Sequence, residues 1–325
     1  MRQWLGAGAA PANMKREAPA GPMCAPHLAI DDFLPAIEAQ RLRKDVDAHF
    51  ADPHKHQADR HQIWNYWHVP QLYTYLRTAP EKVIDRESLV RFHETLTGWA
   101  RRTLGLAHVT WPYLSLYVDG CVQGLHNDST NGRFGYVYSL TFDDRRSRGG
   151  ETIVLREGDL FRTNLANAAA GRGLYDLIAP NFNRLAIFDD RMPHGVQRVE
   201  GSMDPAECRI VLHGHIGEGG AFATGPVPAA IVSTAVKAAV AETLAGTDGA
   251  DNLHGPLTVR LDIAPSGETR DACILVDRLV RPDGACVRTF ADGLMERIGA
   301  LRFDAGEGVT EATVPIIFGG SLTRD

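Results

Sequence analysis

The sequence predicts an α+β protein built in two parts. Three observations carry that reading. Two segments before residue 105 carry helical apolar spacing, and short alternating apolar runs dominate from Leu114 to Ile216. After a Gly- and Ala-rich break, a smaller set of elements follows in the order strand, strand, helix, strand.

Residues 1–25 are rich in Ala, Gly and Pro without hydrophobic periodicity and read as a disordered leader, with Met14 and Met23 as alternative starts. From Asp32 the segment Asp32-Phe33-Leu34-Pro35 opens a helix through Phe50, with Ile37, Leu42, Val46 and Phe50 at helical spacing. The stretch from His54 to His68 is polar, with Trp64, Tyr66 and Trp67 clustered at its end. His54, His56 and His61 invite a metal reading, but no cysteine or carboxylate completes a set, so a solvated loop is expected. A segment Pro70–Leu76 and a helix from about Glu87 to Leu104 precede the strands. Residues 221–228 read as a linker within the run GEGGAFATGPVP, and residues 229–245 as an Ala-rich helix. Beyond it, Leu257–Ile263 alternates as a strand. The turn Ala264-Pro265-Ser266-Gly267-Glu268 returns it through Cys273-Ile274-Leu275-Val276. A helix Thr289–Ala300 and a strand Thr313–Phe318 close a β-β-α-β unit.

With 325 residues, 44% apolar and 23% charged, the chain has enough apolar content to bury a large core. A net charge of −6 and the absence of a long basic stripe argue against nucleic acid as a partner; Asp144-Arg145-Arg146-Ser147-Arg148 reads as a solvated hairpin tip. Cys24, Cys121, Cys208, Cys273 and Cys286 are odd in number, widely spaced and without a CxxC pair, which points away from a disulfide framework or a zinc site and towards a reducing cytoplasm. No run of eighteen apolar residues and no basic-then-apolar leader is present, so neither a membrane span nor export is expected.

The chemistry is concentrated in His126-Asn127-Asp128, answered by His194 sixty-eight residues later and by Arg209 fifteen beyond that. On a strand, residues i and i+2 project to the same side, so His126 and Asp128 can reach one ion while Asn127 points away. His194 follows the apolar run Asn183–Asp190 and Pro193, as a ligand delivered from a strand end. Two imidazoles and a carboxylate on one face of a metal leave positions for an oxidant and a co-substrate, the arrangement of Fe(II) oxygenases. Arg209 opens the strand Cys208–Ile216, and its guanidinium can grip a carboxylate bidentately. Any one of the thirteen histidines, taken singly, reads as a core or surface residue. The ordered set makes the metal reading.

These residues resemble the 2-oxoglutarate and Fe(II) dependent dioxygenases, in the prolyl-4-hydroxylase-like branch of the double-stranded β-helix, or jelly-roll, fold. The likeness runs through HLAIDDFLP, LSLYVDGCVQGLHND, GRFGYVYSLTFDDRRSRGGET, NRLAIFDDRMPHGVQRV and CRIVLHGHI, so that residues 26–220 are expected to form the oxygenase domain. It implies His126, Asp128 and His194 as iron ligands and Arg209 on the far carboxylate of 2-oxoglutarate, with dioxygen consumed and ascorbate possible as a stimulant. Tyr117 resembles a pocket tyrosine. The strand after HxD offers Thr141 or Tyr138 as a co-substrate contact, according to its register. Arg209 follows the second histidine at a longer interval than the family's basic residue, which implies an extended turn through GSMDPAE. Because Asp128 is present, hydroxylation outranks halogenation. Gly149-Gly150-Glu151-Thr152 reads as a turn before a strand. Trp64, Trp67 and Arg133 are candidates for substrate contact.

Residues 229–325 are similar at the level of fold to the C-terminal domain of TonB and its relatives, a module expected here to serve partner binding, substrate docking or self-association. The implied activity is hydroxylation of an unactivated carbon, first of a peptide or protein residue and next of a free amino acid or secondary metabolite. The rivals are a non-catalytic metal-binding scaffold and a cupin-like dioxygenase with no co-substrate, which would not need Arg209.

Overall fold

The computed structural model describes residues 21–51, 62–143, 145–156, 174–247, 253–281 and 288–319. Most of the leader, the histidines at 54, 56 and 61, Asp144 and Cys286 lie outside the described residues. Helix α1 spans Ala36–Phe50 and α2 spans Arg86–Thr103. Helix α1 begins four residues later than the sequence suggests. Asp32 takes a φ of 50°, Leu34 donates its N–H to Asn183 Oδ1 at 3.0 Å, and Pro35, which has no N–H, stands at the N-cap. Asp85 caps α2 by accepting from the Ser88 N–H.

The barrel strands are β1 (His27–Ile30), β2 (Asn65–Val69), β3 (Tyr73–Thr78), β4 (His108–Val109), β5 (Tyr113–Tyr117) and β6 (Val122–His126). They continue as β7 (Phe134–Ser139), β8 (Thr152–Leu155), β9 (Tyr175–Ile178), β10 (Leu185–Asp189), β11 (His194–Val196) and β12 (Arg209–Gly217). They form one antiparallel sheet in the order β1-β10-β7-β12-β5-β3-β6-β11-β8-β9, with β2 added to β3 and β4 to β12. Strand β3 joins the two halves, since Leu76–Thr78 pair with β5 while Tyr73 and Thr74 pair with β6. Residues of both halves line one cavity, so the halves face each other in a nearly closed barrel of jelly-roll type.

Strand alternation on β7 sorts the layers. Tyr136 and Tyr138 are buried on the outer face, where Tyr138 lies 5.0 Å from Phe92 of α2 between ring centroids. Gly135 and Val137 are left to the interior. The main core is the seam between the two helices and this outer face, with Leu42, Val46, Leu89, Phe92 and Leu96 packed on Leu185, Ile187, Ile210 and Leu212.

The smaller part comprises β13 (Phe222–Thr224), helix α3 (Ala229–Ala245), β14 (Gly255–Ile263), β15 (Thr269–Asp277), helix α4 (Arg288–Gly299) and β16 (Thr310–Phe318). Its sheet runs β13-β16-β14-β15, so three residues expected in a linker form an edge strand instead. The part is fused to the barrel. Gly105, at φ +67°, lets the chain leave α2 against β14 and β16, where a Cβ would stand 2.2 Å from a Thr258 methyl. Arg260 donates to the Arg102 carbonyl at 2.8 Å, satisfying an end of α2. Among the described residues no helix is long and apolar enough to cross a membrane.

Candidate metal centre

His126 ends β6, Asp128 lies two residues beyond it, and His194 opens β11, which pairs directly with β6 through His126 and His194. The close approach depends on small residues. A Cβ on Gly195 would stand 2.5 Å from the Gln123 carbonyl, and one on Gly124 would stand 2.8 Å from that of Leu72. Asp128 is held by its own N–H, which donates to the Asp190 carbonyl at 2.9 Å.

The three ligand atoms converge. Asp128 Oδ2 lies 3.7 Å from His126 Nε2 and 3.5 Å from His194 Nε2. Donors bound at about 2.0–2.2 Å to a first-row dication on adjacent positions stand roughly 3 Å apart, so the set fits an ion with little adjustment. The tautomers are fixed from behind: His126 Nδ1 donates to the Gly124 carbonyl at 2.8 Å and His194 Nδ1 to that of Met192 at 2.9 Å. Both Nε2 lone pairs are thereby presented to the same point. Burial holds the His126 imidazole below its usual pKa, which favours the neutral, ligating form. Burial pushes the Asp128 carboxyl up, but the nearness of His194 and His126 outweighs it and leaves it lowered.

The centre lies in a cavity of about 260 Å³ that is also lined by Arg209, 1% exposed. Its Nη2 donates to Thr152 Oγ1 at 3.0 Å, its guanidinium lies 4.7 Å from the Tyr117 ring centre, and its Nε is buried without an acceptor. No described carboxylate forms an ion pair with it, and burial lowers its pKa. A buried cation in this condition is a receptor for an anion. Tyr117 donates to Gln123 Oε1, Gln123 Nε2 lies 3.3 Å from His126 Nε2, and burial pushes the Tyr117 phenol up to about 12.

A second acidic group backs the first. Asp190 is wholly buried, accepts from His215 Nδ1 at 2.9 Å, and shares a potential cation cluster with Asp128 and His215. His213 is bonded to Ser115 at 2.8 Å and held neutral by burial and by Arg77, its pKa falling to about 3.

The structure brings together His126, Asp128, His194, Arg209, Tyr117 and Trp67. It places the other candidates elsewhere. Tyr138 donates to Asn183 Oδ1 at 2.8 Å in the helix-facing core, and Thr141 is bonded to both backbone groups of Ile210, so neither lines the cavity. The β7 register accounts for Tyr138, because even-numbered residues of that strand face the helices; Thr141 lies beyond the end of β7, where its hydroxyl ties the chain to Ile210 of β12. Arg133 is turned outward onto Glu218 at 2.9 Å, and Trp64 packs on Phe50 and His49. Glycines 149 and 150, at φ +77° and +79°, make the expected turn, yet the next strand begins with Thr152, the residue that touches Arg209. Sequence reasoning missed Thr152, Gln123, His213 and His215, and also Tyr73, Tyr75 and Arg77 of β3. Only the odd-position alternation of Tyr73, Tyr75 and Arg77 signalled a shared face.

No family model matches this chain, and no curated protein does. Among solved structures it is similar to a Pseudomonas putida prolyl-4-hydroxylase, at 15% identity over 60% of this chain and 93% of that one, TM-score 0.43. A Trichoplax adhaerens prolyl hydroxylase, solved with a hypoxia inducible factor oxygen degradation domain peptide, gives 14% over 58% and 81%, TM-score 0.42. The non-heme α-ketoglutarate-dependent carbocyclase SnoK from nogalamycin biosynthesis gives 13% over 65% and 87%, TM-score 0.41. At such identities and scores no residue role is carried across.

Proposed function

We propose that the protein is a 2-oxoglutarate- and Fe(II)-dependent dioxygenase that hydroxylates an unactivated carbon. The observation that carries this reading is the pairing, in one cavity, of a facial His126–Asp128–His194 set with a buried Arg209 that forms no ion pair with any described carboxylate. When bound, iron(II), 2-oxoglutarate and dioxygen supply the oxidising chemistry, with R–H becoming R–OH as the co-substrate is split into succinate and carbon dioxide. The chain's own share is positional. The carbonyls of Gly124 and Met192 fix the two imidazoles, Asp128 adds the charge that selects a dication, and Arg209 with Thr152 would receive the far carboxylate of the co-substrate. Tyr75, Tyr117 and Phe188 wall the cavity and limit water around the reacting groups.

The substrate is a peptide or protein residue in the first reading and a free amino acid or other small metabolite in the second. The C-terminal part keeps the β-β-α-β order that likens it to TonB-type modules, and we assign it a docking role. The deciding experiment is anaerobic titration of the full chain with Fe(II) and 2-oxoglutarate, following the weak visible charge-transfer band in wild type, Asp128→Ala and Arg209→Ala. A band in wild type that is lost in both variants is expected; its absence from folded wild-type protein overturns the assignment and favours a scaffold.

A further inference from the structure

The cavity holds a second cation that the proposed reaction does not use. Arg77, on β3, lies with its guanidinium 4.1 Å from the ring centre of Trp67, on the flanking strand β2, and 4.4 Å from that of Tyr113, on the strand β5 that flanks β3 on the other side. Aromatic rings from both neighbouring strands thus lie against the guanidinium. No described side chain or carbonyl accepts from its N–H edge, and no described carboxylate pairs with it.

Arg77 and Arg209 terminate one continuous stack. From the inner end, the Arg209 guanidinium lies over Tyr117, Tyr117 stacks on Tyr75 at 5.3 Å, Tyr75 stacks on Trp67 at 6.5 Å, and Trp67 carries Arg77. Three rings separate the two guanidiniums. Arg209 is buried, whereas Arg77 is only half-buried, so the stack runs from the closed end of the cavity to its mouth. A guanidinium set against rings keeps its edge for hydrogen bonding, and that edge matches a carboxylate or phosphate. The neighbouring His213 is kept neutral and contributes no competing charge.

We infer that Arg77, held against Trp67 and Tyr113, is a subsite for an acidic group, carboxylate or phosphate, carried by the primary substrate. The word substrate rests on the dioxygenase reading; the anion subsite does not. An acidic substrate would span the aromatic wall, with its charged end at the mouth and its remainder directed to the metal centre.

The test uses ligand-observed NMR titrations of the full chain, without added metal, with benzoate, phenyl phosphate and benzamide. Wild type is compared with Arg209→Gln, alone and combined with Arg77→Gln or Arg77→Lys, each shown to be folded by its thermal transition. Benzoate or phenyl phosphate is expected to bind at least about tenfold more tightly than benzamide in wild type. Which acid is preferred identifies the group. Because Arg209 is itself an anion receptor, the decisive comparison is made in the Arg209→Gln background: there the preference should persist with Arg77 intact, vanish on adding Arg77→Gln, and shrink on adding Arg77→Lys, where charge remains without the planar fork. Equal binding of acid and amide, no acid binding at all, or a preference that survives Arg77→Gln in that background overturns the inference. Loss of the iron and 2-oxoglutarate band with the Arg77-dependent preference intact would reject the dioxygenase reading alone.

Discussion

Arg278, the residue after β15, donates from Nε to Asp189 Oδ2 at 3.1 Å, with the two side chains 1% and 0% exposed. Asp189 ends β10, five residues before His194, and also receives Arg191 Nη2 at 2.6 Å. The C-terminal part therefore reaches into the segment that delivers a candidate metal ligand. Arg278→Met removes one of the two guanidiniums that compensate a buried carboxylate and should cost about 3 kcal/mol. Urea denaturation at pH 7 measures it, and a loss below about 1 kcal/mol would show that Arg191 alone suffices.

Arg209 presents the opposite case, a buried charge that forms no ion pair with any described carboxylate. Arg209→Met, which keeps length and removes charge, should stabilise the ligand-free chain by about 1–3 kcal/mol while abolishing the stabilisation that added 2-oxoglutarate gives wild type. Thermal shifts with and without 2-oxoglutarate read both effects. A destabilised variant would mean that the Thr152 and Tyr117 contacts already compensate the charge.

His213 sets a pH dependence with a definite sign. Its folded pKa, about 3, lies below the ordinary value of 6.5, so the unfolded chain takes up the proton first and stability falls with pH from about 6.5 towards 3. Between pH 6.5 and 5 this group alone should remove about 2 kcal/mol. Comparing urea midpoints of wild type and His213→Gln at both pH values isolates it. Equal pH slopes for the two proteins would contradict the assignment.

Gly195 tests how tightly the two histidine strands must pair. A methyl there meets the Gln123 carbonyl at 2.5 Å, a backbone atom that cannot move alone, so Gly195→Ala should separate β11 from β6. The expected outcome is a stability loss of about 1–3 kcal/mol together with at least tenfold weaker Co(II) binding. Unchanged Co(II) affinity, measured calorimetrically, would show that His194 keeps its place without this contact.

Much of the site was legible because the residues that carry it are chemically restrictive. A metal needs imidazole and carboxylate, so HxD with a later histidine stands out, and an arginine opening a strand stands out for its charge. The helices at Ala36–Phe50, Arg86–Thr103 and Ala229–Ala245 were also legible, since periodicity and Pro, Asp or Gly punctuation act locally. The face of β7 was not. Tyr138 looked plausible because a strand's alternation says that two faces exist without saying which one meets a helix, and Thr141 because no local signal shows that β7 ends at Ser139.

By itself, then, the sequence determined the two-part α+β order, the three candidate ligands and the buried arginine, through residue chemistry and short-range spacing. Only the tertiary structure decided that β3 joins the two halves of the barrel and brings Tyr75 and Arg77 into the cavity, that Thr152 supports Arg209, and that Arg278 grips Asp189 across 89 residues. These are long-range pairings whose free energy comes from burial and desolvation at the contact, and no local pattern in the chain encodes which distant residue will supply the partner.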